Sequence, residues 1–178
     1  MTPLVSDNEA VARSRQSSLL VFLMLALASP VAAQEVVTGT AEVIDADILK
    51  IGTQRVILWG IDAPERTQGC GLDGALWGCY EAARRALELL SGRGEISCTL
   101  LGEADPFGRR LGLCLAGAED IGAEMVRHGM ALAYSDQTPD YEPIQIEAIT
   151  AGIGLWQPGV QFVEPWIFRM SITPGGFR

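Results

Sequence analysis

Three short stretches rich in β-branched and apolar residues, at positions 38–44, 48–51 and 55–59, follow one another with no room for a helix between them. Gly52-Thr53 sits between the last two as a tight turn, the connection of an antiparallel hairpin. The segment therefore predicts a β-meander. Residues 62–79 carry Pro64, Gly69, Gly71, Gly74 and Gly78 without an apolar period, and a loop that long inside a compact domain is usually functional or stapled. A helical period begins at Tyr80, where Ala83, Leu87 and Leu90 share a face and Gly92 closes the run. Two strands, 96–101 and 110–115, flank Asp105-Pro106-Phe107-Gly108; a second helix runs from about Asp120 to Gly129, and 131–134 reads as a final strand. Asp140 is a candidate cap for a third helix that places Tyr141, Ile144, Ala148 and Ala151 on one side and stops at Gly152. This order predicts an α+β domain with its helices gathered at the ends of a mostly antiparallel sheet, which a small closed barrel satisfies.

At 178 residues and 48% hydrophobic, the chain has the size and make-up of one compact domain. Arg13 and Arg15 precede an apolar run, 19–28, then Ser29, Pro30 and the small-residue site Val31-Ala32-Ala33. Residues 1–33 are expected to be a signal peptide and 34–178 the domain, with 158–178 as a C-terminal tail, in a periplasmic or secreted protein. The run is too short to span a bilayer, which takes about 20 apolar residues, so no membrane anchor is expected after cleavage. Cations number 13 against 22 anions, a net charge of −9, and Lys50 is the only lysine. A broad basic surface for nucleic acid is thereby excluded, and any phosphate chemistry must be local.

Cys70, Cys79, Cys98 and Cys114 all follow the cleavage point, and an exported chain meets an oxidising compartment. Of the three pairings, Cys70 with Cys79 closes the long loop and Cys98 with Cys114 joins two neighbouring strands, so that pairing is preferred. A zinc site is disfavoured by the lack of a Cys-x-x-Cys pair and by His128 being the single histidine. His128 itself stands one residue before the Gly129 stop, where an imidazole faces helix-end carbonyls or water.

The chemistry concentrates in Asp45-Ala46-Asp47 and Gly60-Ile61-Asp62-Ala63-Pro64-Glu65. Asp47 begins one strand of the Gly52-Thr53 hairpin and Asp62 ends the other, so both carboxylates fall at one end of the sheet, where clustered oxygens suit a hard divalent cation. Glu65, on a Pro-stiffened turn, is placed to accept a proton from water. Each acid taken singly is equally a strand end or turn former, and the set carries the reading.

Those motifs, with Asp105-Pro106-Phe107-Gly108-Arg109, Met125-Val126-Arg127-His128-Gly129 and Gly154-Leu155-Trp156, occur in the order found in the thermonuclease, or staphylococcal nuclease-like, family, which the chain resembles over about residues 37–157. Glu164-Pro165-Trp166 with Arg169 is similar to an ending of secreted bacterial relatives, and reads equally as a packed aromatic tail. The resemblance implies a five-stranded OB-fold β-barrel with about three packed helices, and calcium-dependent hydrolysis of phosphodiester bonds in DNA or RNA. Carried over by position, Asp47 and Asp62 would bind Ca2+ through carboxylates and Ala63 through its carbonyl. Glu65 would be the general base and Arg109 would hold the phosphate, while Tyr134 would line the nucleotide site.

One family position departs from the pattern. A second catalytic arginine is expected five residues before Asp62, where this chain has Ile57. Loss of one preorganised donor costs about 10²- to 10³-fold in rate, so a slow enzyme is expected. Arg55, two residues back on the same strand face and roughly 7 Å away, is a candidate substitute, as is Arg66, which reads otherwise as a loop charge facing solvent. Pro106-Phe107, Asp136 and the acidic third helix with Glu142 and Glu147 further thin the stacking and charge that hold a single strand. Trp77, in the long loop, stays open as a base platform. A catalytically degenerate binding module and an accessory role in cell-surface polysaccharide assembly are the alternative functions, and no protein partner is inferable.

Overall fold

The computed structural model describes residues 34–172; the segment read as a signal peptide and residues 173–178 lie outside them. Strands β1 (Val36–Gly39) and β2 (Ala41–Asp45) are one strand interrupted at Thr40, and β2 turns through Ala46-Asp47 into β3 (Ile48–Ile51). Gly52-Thr53 then returns the chain as β4 (Gln54–Leu58), in the register Ile48 with Ile57 and Ile51 with Gln54. A short β5 (Ile61–Asp62) follows at once. The long loop contains a hairpin that its lack of apolar period concealed, β6 (Cys70–Leu72) and β7 (Ala75–Trp77), turning at Asp73-Gly74.

Helix α1 (Cys79–Ser91) buries Tyr80, Ala83, Leu87 and Leu90, the stripe its period predicts. Strands β8 (Ile96–Leu101) and β9 (Arg109–Ala116) pair antiparallel, with β10 (Glu119–Asp120) folded back on β9. Helix α2 (Ile121–Arg127) is capped by the Asp120 carboxylate, which accepts from the Ala123 N–H at 3.2 Å. Strand β11 (Leu132–Ala133) pairs with β5, and α3 (Glu142–Ala151) ends at Gly152 in the left-handed conformation, φ 61°. A single 3₁₀ turn (Gly154–Trp156) leads to β12 (Val160–Gln161) and a fourth helix, α4 (Pro165–Ile172).

The main sheet runs β1-β8-β9-β4-β3-β2, antiparallel except for the parallel pair β4 and β9. Because β1 and β2 are consecutive, the first strand serves both edges of the sheet, which curls into the expected OB-type barrel of five long strands. Its interior holds Leu49, Val56, Leu58, Ile96, Leu100 and Met125, and α1 and α2 close it with Leu87, Ile121 and Val126. Each of these large side chains contributes roughly 1.5–3 kcal/mol by leaving water. The three helices expected from periodicity are α1, α2 and α3; α4 is additional. It was hidden because its eight residues show no clear stripe, and Pro165 at its first position both starts it and interrupts the aromatic pattern.

Both preferred disulfides are formed. Cys98 and Cys114 stand directly opposite in the β8–β9 register with Cα atoms 4.0 Å apart, and Cys70 bridges to Cys79 at the start of α1. Around the second bridge lies a separate apolar cluster of Leu132 and Leu155 with Trp77, Trp156, Phe162 and Trp166. The tail enters this cluster through β12, which pairs with β6 in the register Val160 with Leu72. No helix among the described residues is long and apolar enough to cross a membrane.

Candidate functional site

The β3–β4 hairpin does what its sequence spacing requires. The Leu58 N–H donates to the Asp47 carbonyl at 2.9 Å, so Asp47 lies beside the end of β4; Asp62 does not end that strand but lies on β5, which begins after Trp59 and Gly60 because the left-handed Gly60 breaks the strand. There the pairing of Asp62 with Leu132 on β11 seals the Asp62 side chain completely from solvent. Ala63 is buried as well, at 3% exposure, and Pro64 turns the chain so that Glu65 emerges half-buried. The turn is locked by Gln68, whose side-chain carbonyl accepts from the Glu65 N–H at 3.1 Å while its main-chain N–H donates to the Glu65 carbonyl at 2.8 Å.

Arg109 opens β9 immediately after the Asp105–Gly108 turn. One Asp105 oxygen accepts from the N–H groups of Phe107 and Arg109, both at 2.9 Å, and the other accepts from Arg109 Nε at 2.7 Å. Burial alone would raise the Asp105 pKa, but the hydrogen bonds from Arg109 and Phe107 and the guanidinium charge together hold it below its ordinary value. The Arg109 guanidinium also lies over the Phe107 ring, 5.2 Å from its centroid. Parallel pairing of β4 with β9 then sets Arg109 beside the strand that carries Ile57.

Asp47, Glu65 and Arg109 line one cavity of about 120 Å³, together with Asp45, Ile48 and Ile57. The seventh lining residue is Arg169, from α4. Its Nη1 donates to Asp62 at 2.8 Å and to Glu65 at 2.5 Å, and its Nη2 donates to the other Asp62 oxygen at 2.6 Å. Burial by itself would lower the Arg169 pKa, yet the bonds and charges of Asp62 and then Glu65 push it above the ordinary arginine value. A buried ion pair of this kind is weak as a stability device and strong as a positional one, since two donors fix the guanidinium plane on a carboxylate that cannot move. Asp45, Asp47 and Glu65 against Arg109 and Arg169 leave the lining with a formal charge of −1.

In kind, the oxygens of Asp47, Asp62 and Ala63 are the hard donors that calcium takes. In arrangement, no three Asp, Glu, His or Cys side chains among the described residues converge closely enough to hold an ion, and both Asp62 oxygens receive the Arg169 guanidinium. A guanidinium therefore stands where the site presents its negative charge.

The two arginines considered as substitutes for position 57 do not line this cavity, although Arg55 stands in register with Arg109. Arg55 is exposed on β4 and does not line the cavity. Arg66 turns away to the Ile44 carbonyl (3.2 Å), to Asp45 (3.7 Å) and over the Tyr80 ring, bordering a separate open depression of about 470 Å³ beside α1. Tyr134 is half-buried, with its ring centroid 5.6 Å from that of Trp166 on α4. Trp77 packs into the aromatic cluster, and His128 sets its Nδ1 2.8 Å from the Glu124 carbonyl at the end of α2.

Two residues of the site were not assigned to it from the sequence. Gln68 has no local signature; its side-chain N–H donates to the Val163 carbonyl at 2.6 Å, tying the Glu65 turn to the tail. Arg169 carried the one available signal, its place in the Glu164-Pro165-Trp166 ending, but 107 residues separate it from Asp62.

The model of the family described as staphylococcal nuclease homologue matches residues 55–158, which includes Asp62, Glu65, Arg109 and Tyr134 and stops before α4. The chain is also similar to the succinoglycan biosynthesis protein ExoI of Rhizobium meliloti (strain 1021), 35% identical over 130 residues, which cover 70% of this chain and 67% of that protein. With a match across more than half its length and an OB-type barrel whose strands carry the matched positions, the chain belongs to the staphylococcal nuclease family.

Proposed function

We propose that the protein is an exported phosphodiesterase that hydrolyses DNA or RNA with calcium. One observation carries the reading: a carboxylate on a rigid turn, Glu65, and a guanidinium fixed by its own aspartate, Arg109, line the same small cavity beside Asp47 and Asp62. In the reaction a water oxygen forms a bond to phosphorus and one P–O ester bond breaks. The water proton passes to Glu65, and the departing oxygen takes a proton from solvent. Arg109 holds the non-bridging oxygens through the donors that Asp105 leaves available, and stabilises the charge that builds on them. Calcium, when bound, would supply the positive charge that the net negative lining lacks, with Asp47 and the Ala63 carbonyl as its protein donors, both Asp62 oxygens being taken by Arg169.

The name of the similar protein supports a second reading, an accessory part in cell-surface polysaccharide assembly, in which the same cavity serves as a binding site. The oxidised protein is to be assayed on single-stranded DNA, duplex DNA and RNA at low salt, with calcium and with chelator, beside Glu65→Gln. Calcium-dependent cleavage that falls at least a hundredfold in Glu65→Gln is the expected result. No cleavage by the parent protein under any of these conditions would reject the enzyme reading in favour of the binding one.

A further inference from the structure

We propose that Arg169, delivered by the C-terminal helix, is the second phosphate-binding cation of this site and works with Arg109 from the other side of the cavity. The inference rests on the reading of that cavity as a phosphodiester site and assigns its missing half.

Three features carry it. First, Arg109 and Arg169 are, among the described residues, the two cations that line the cavity, and Ile57 lies on the same lining without a charge of its own. Second, the bonding of Arg169 leaves the correct donors unused. A guanidinium has five N–H groups, of which the Asp62 and Glu65 carboxylates engage two on Nη1 and one on Nη2. The Nε–H and the second Nη2–H form the side-on pair, two parallel donors whose fork matches two phosphate oxygens, and they have no acceptor among the described residues. Asp62 and Glu65 thus orient the guanidinium as Asp105 orients Arg109, one end of each arginine gripping a carboxylate.

Third, the tail is tied to the site side of the domain at successive points, so the helix is held for a position and is not merely covering apolar surface. Strand β12 pairs with β6 next to the Cys70–Cys79 bridge, Val163 accepts from Gln68 on the Glu65 turn, and the Trp166 ring lies tilted against Tyr134. The ordering of a long side chain is thereby achieved before any ligand arrives, which lowers the entropy cost of using it. An arginine reaching the cavity from α4 makes one on β4 unnecessary.

The test compares the oxidised parent with Arg169→Ala, Arg169→Lys, Arg109→Ala and the double variant Ile57→Arg/Arg169→Ala. Inorganic phosphate is the probe, titrated by calorimetry with and without calcium, and hydrolysis of single-stranded DNA is followed in parallel. Arg169→Ala is expected to weaken phosphate binding at least tenfold and to lower kcat about 10²-fold, comparably to Arg109→Ala. Arg169→Lys, which keeps charge but loses the fork, should recover less than a third of the lost affinity on a logarithmic scale. The double variant should recover at least tenfold of what Arg169→Ala loses, and because it keeps the tail truncated at the same atom, it separates a missing cation from a damaged fold.

Phosphate affinity unchanged or increased in Arg169→Ala, or a parent that binds no phosphate, overturns the proposal; the first result would make Arg169 a plug on Asp62. Phosphate binding that depends on Arg169 without hydrolysis of any nucleic acid leaves the cation assignment standing and removes the hydrolytic reading instead.

Discussion

Replacing both Cys70 and Cys79 with alanine should loosen the tail before it loosens the barrel. The bridge closes a loop of sequence separation 9, and its removal returns to the unfolded chain a loop entropy of about 2.7 kcal/mol at 25 °C. For a domain of this size that loss lowers Tm by roughly 8–10 °C. Removing Cys98–Cys114, of separation 16, costs a similar amount, about 3.1 kcal/mol, so global stability does not distinguish the two bridges. Their surroundings do. Cys98 and Cys114 join strands already paired through six registered positions in the barrel, whereas Cys70 begins the three-residue strand on which β12 depends, and both Cys70 and Cys79 sit at 1% exposure among Trp77, Phe162 and Trp166. Hydrogen exchange at the Val160 amide and through α4 should therefore accelerate in the Cys70/Cys79 variant by a larger factor than exchange at Leu58 or Leu100 in the barrel. In the Cys98/Cys114 variant the two regions should accelerate alike. Equal acceleration of tail and barrel in both variants would falsify the argument that the first bridge holds the segment carrying Arg169.

Gly60 should not tolerate alanine. It adopts φ +78°, and an added Cβ would stand 2.6 Å from Tyr141 Cε2 and 2.7 Å from Thr138 Cγ2, so a loss of about 2–4 kcal/mol is expected from backbone strain and overpacking together. Urea unfolding measures it, and a loss under about 1 kcal/mol would mean that the Tyr141 ring yields freely. Asp105 makes stability depend on pH in a defined direction: its carboxyl is held below the unfolded value, so its contribution is present above about pH 4 and disappears as pH falls through the folded value. The stability gap between parent and Asp105→Asn should accordingly be full at pH 6 and shrink below about pH 4; a gap independent of pH would show that the Asp105 charge does not hold the Arg109 turn.

What the sequence by itself determined is local or nearest-neighbour in character. Gly52-Thr53 between β-branched runs set the β3–β4 hairpin, and that hairpin brings Asp47 to the end of β4, a few residues before Asp62. The stripe of Ala83, Leu87 and Leu90 defined α1, and cross-strand neighbours defined the Cys98–Cys114 bridge. Asp105 and Arg109, four residues apart across one turn, were already a unit. The pattern alone gave an α+β domain that a small closed barrel satisfies; the five-stranded barrel itself was implied by the family resemblance that the order of motifs carries.

Only the tertiary structure decided which cations reach the cavity. Arg55 shares a strand face with Ile57 and stands in register with Arg109, yet it is exposed and does not line the cavity, and Arg66 follows Glu65 directly but turns to Asp45 and Tyr80. Arg169 arrives from the far end of the chain because a disulfide, a two-residue strand, the Gln68 side chain and an aromatic cluster together carry the tail back across the site. Each of those contacts is long-range and short in extent, so none leaves a period in the sequence. A buried carboxylate at Asp62 attracts whichever guanidinium the packing delivers, and packing is a property of the whole fold.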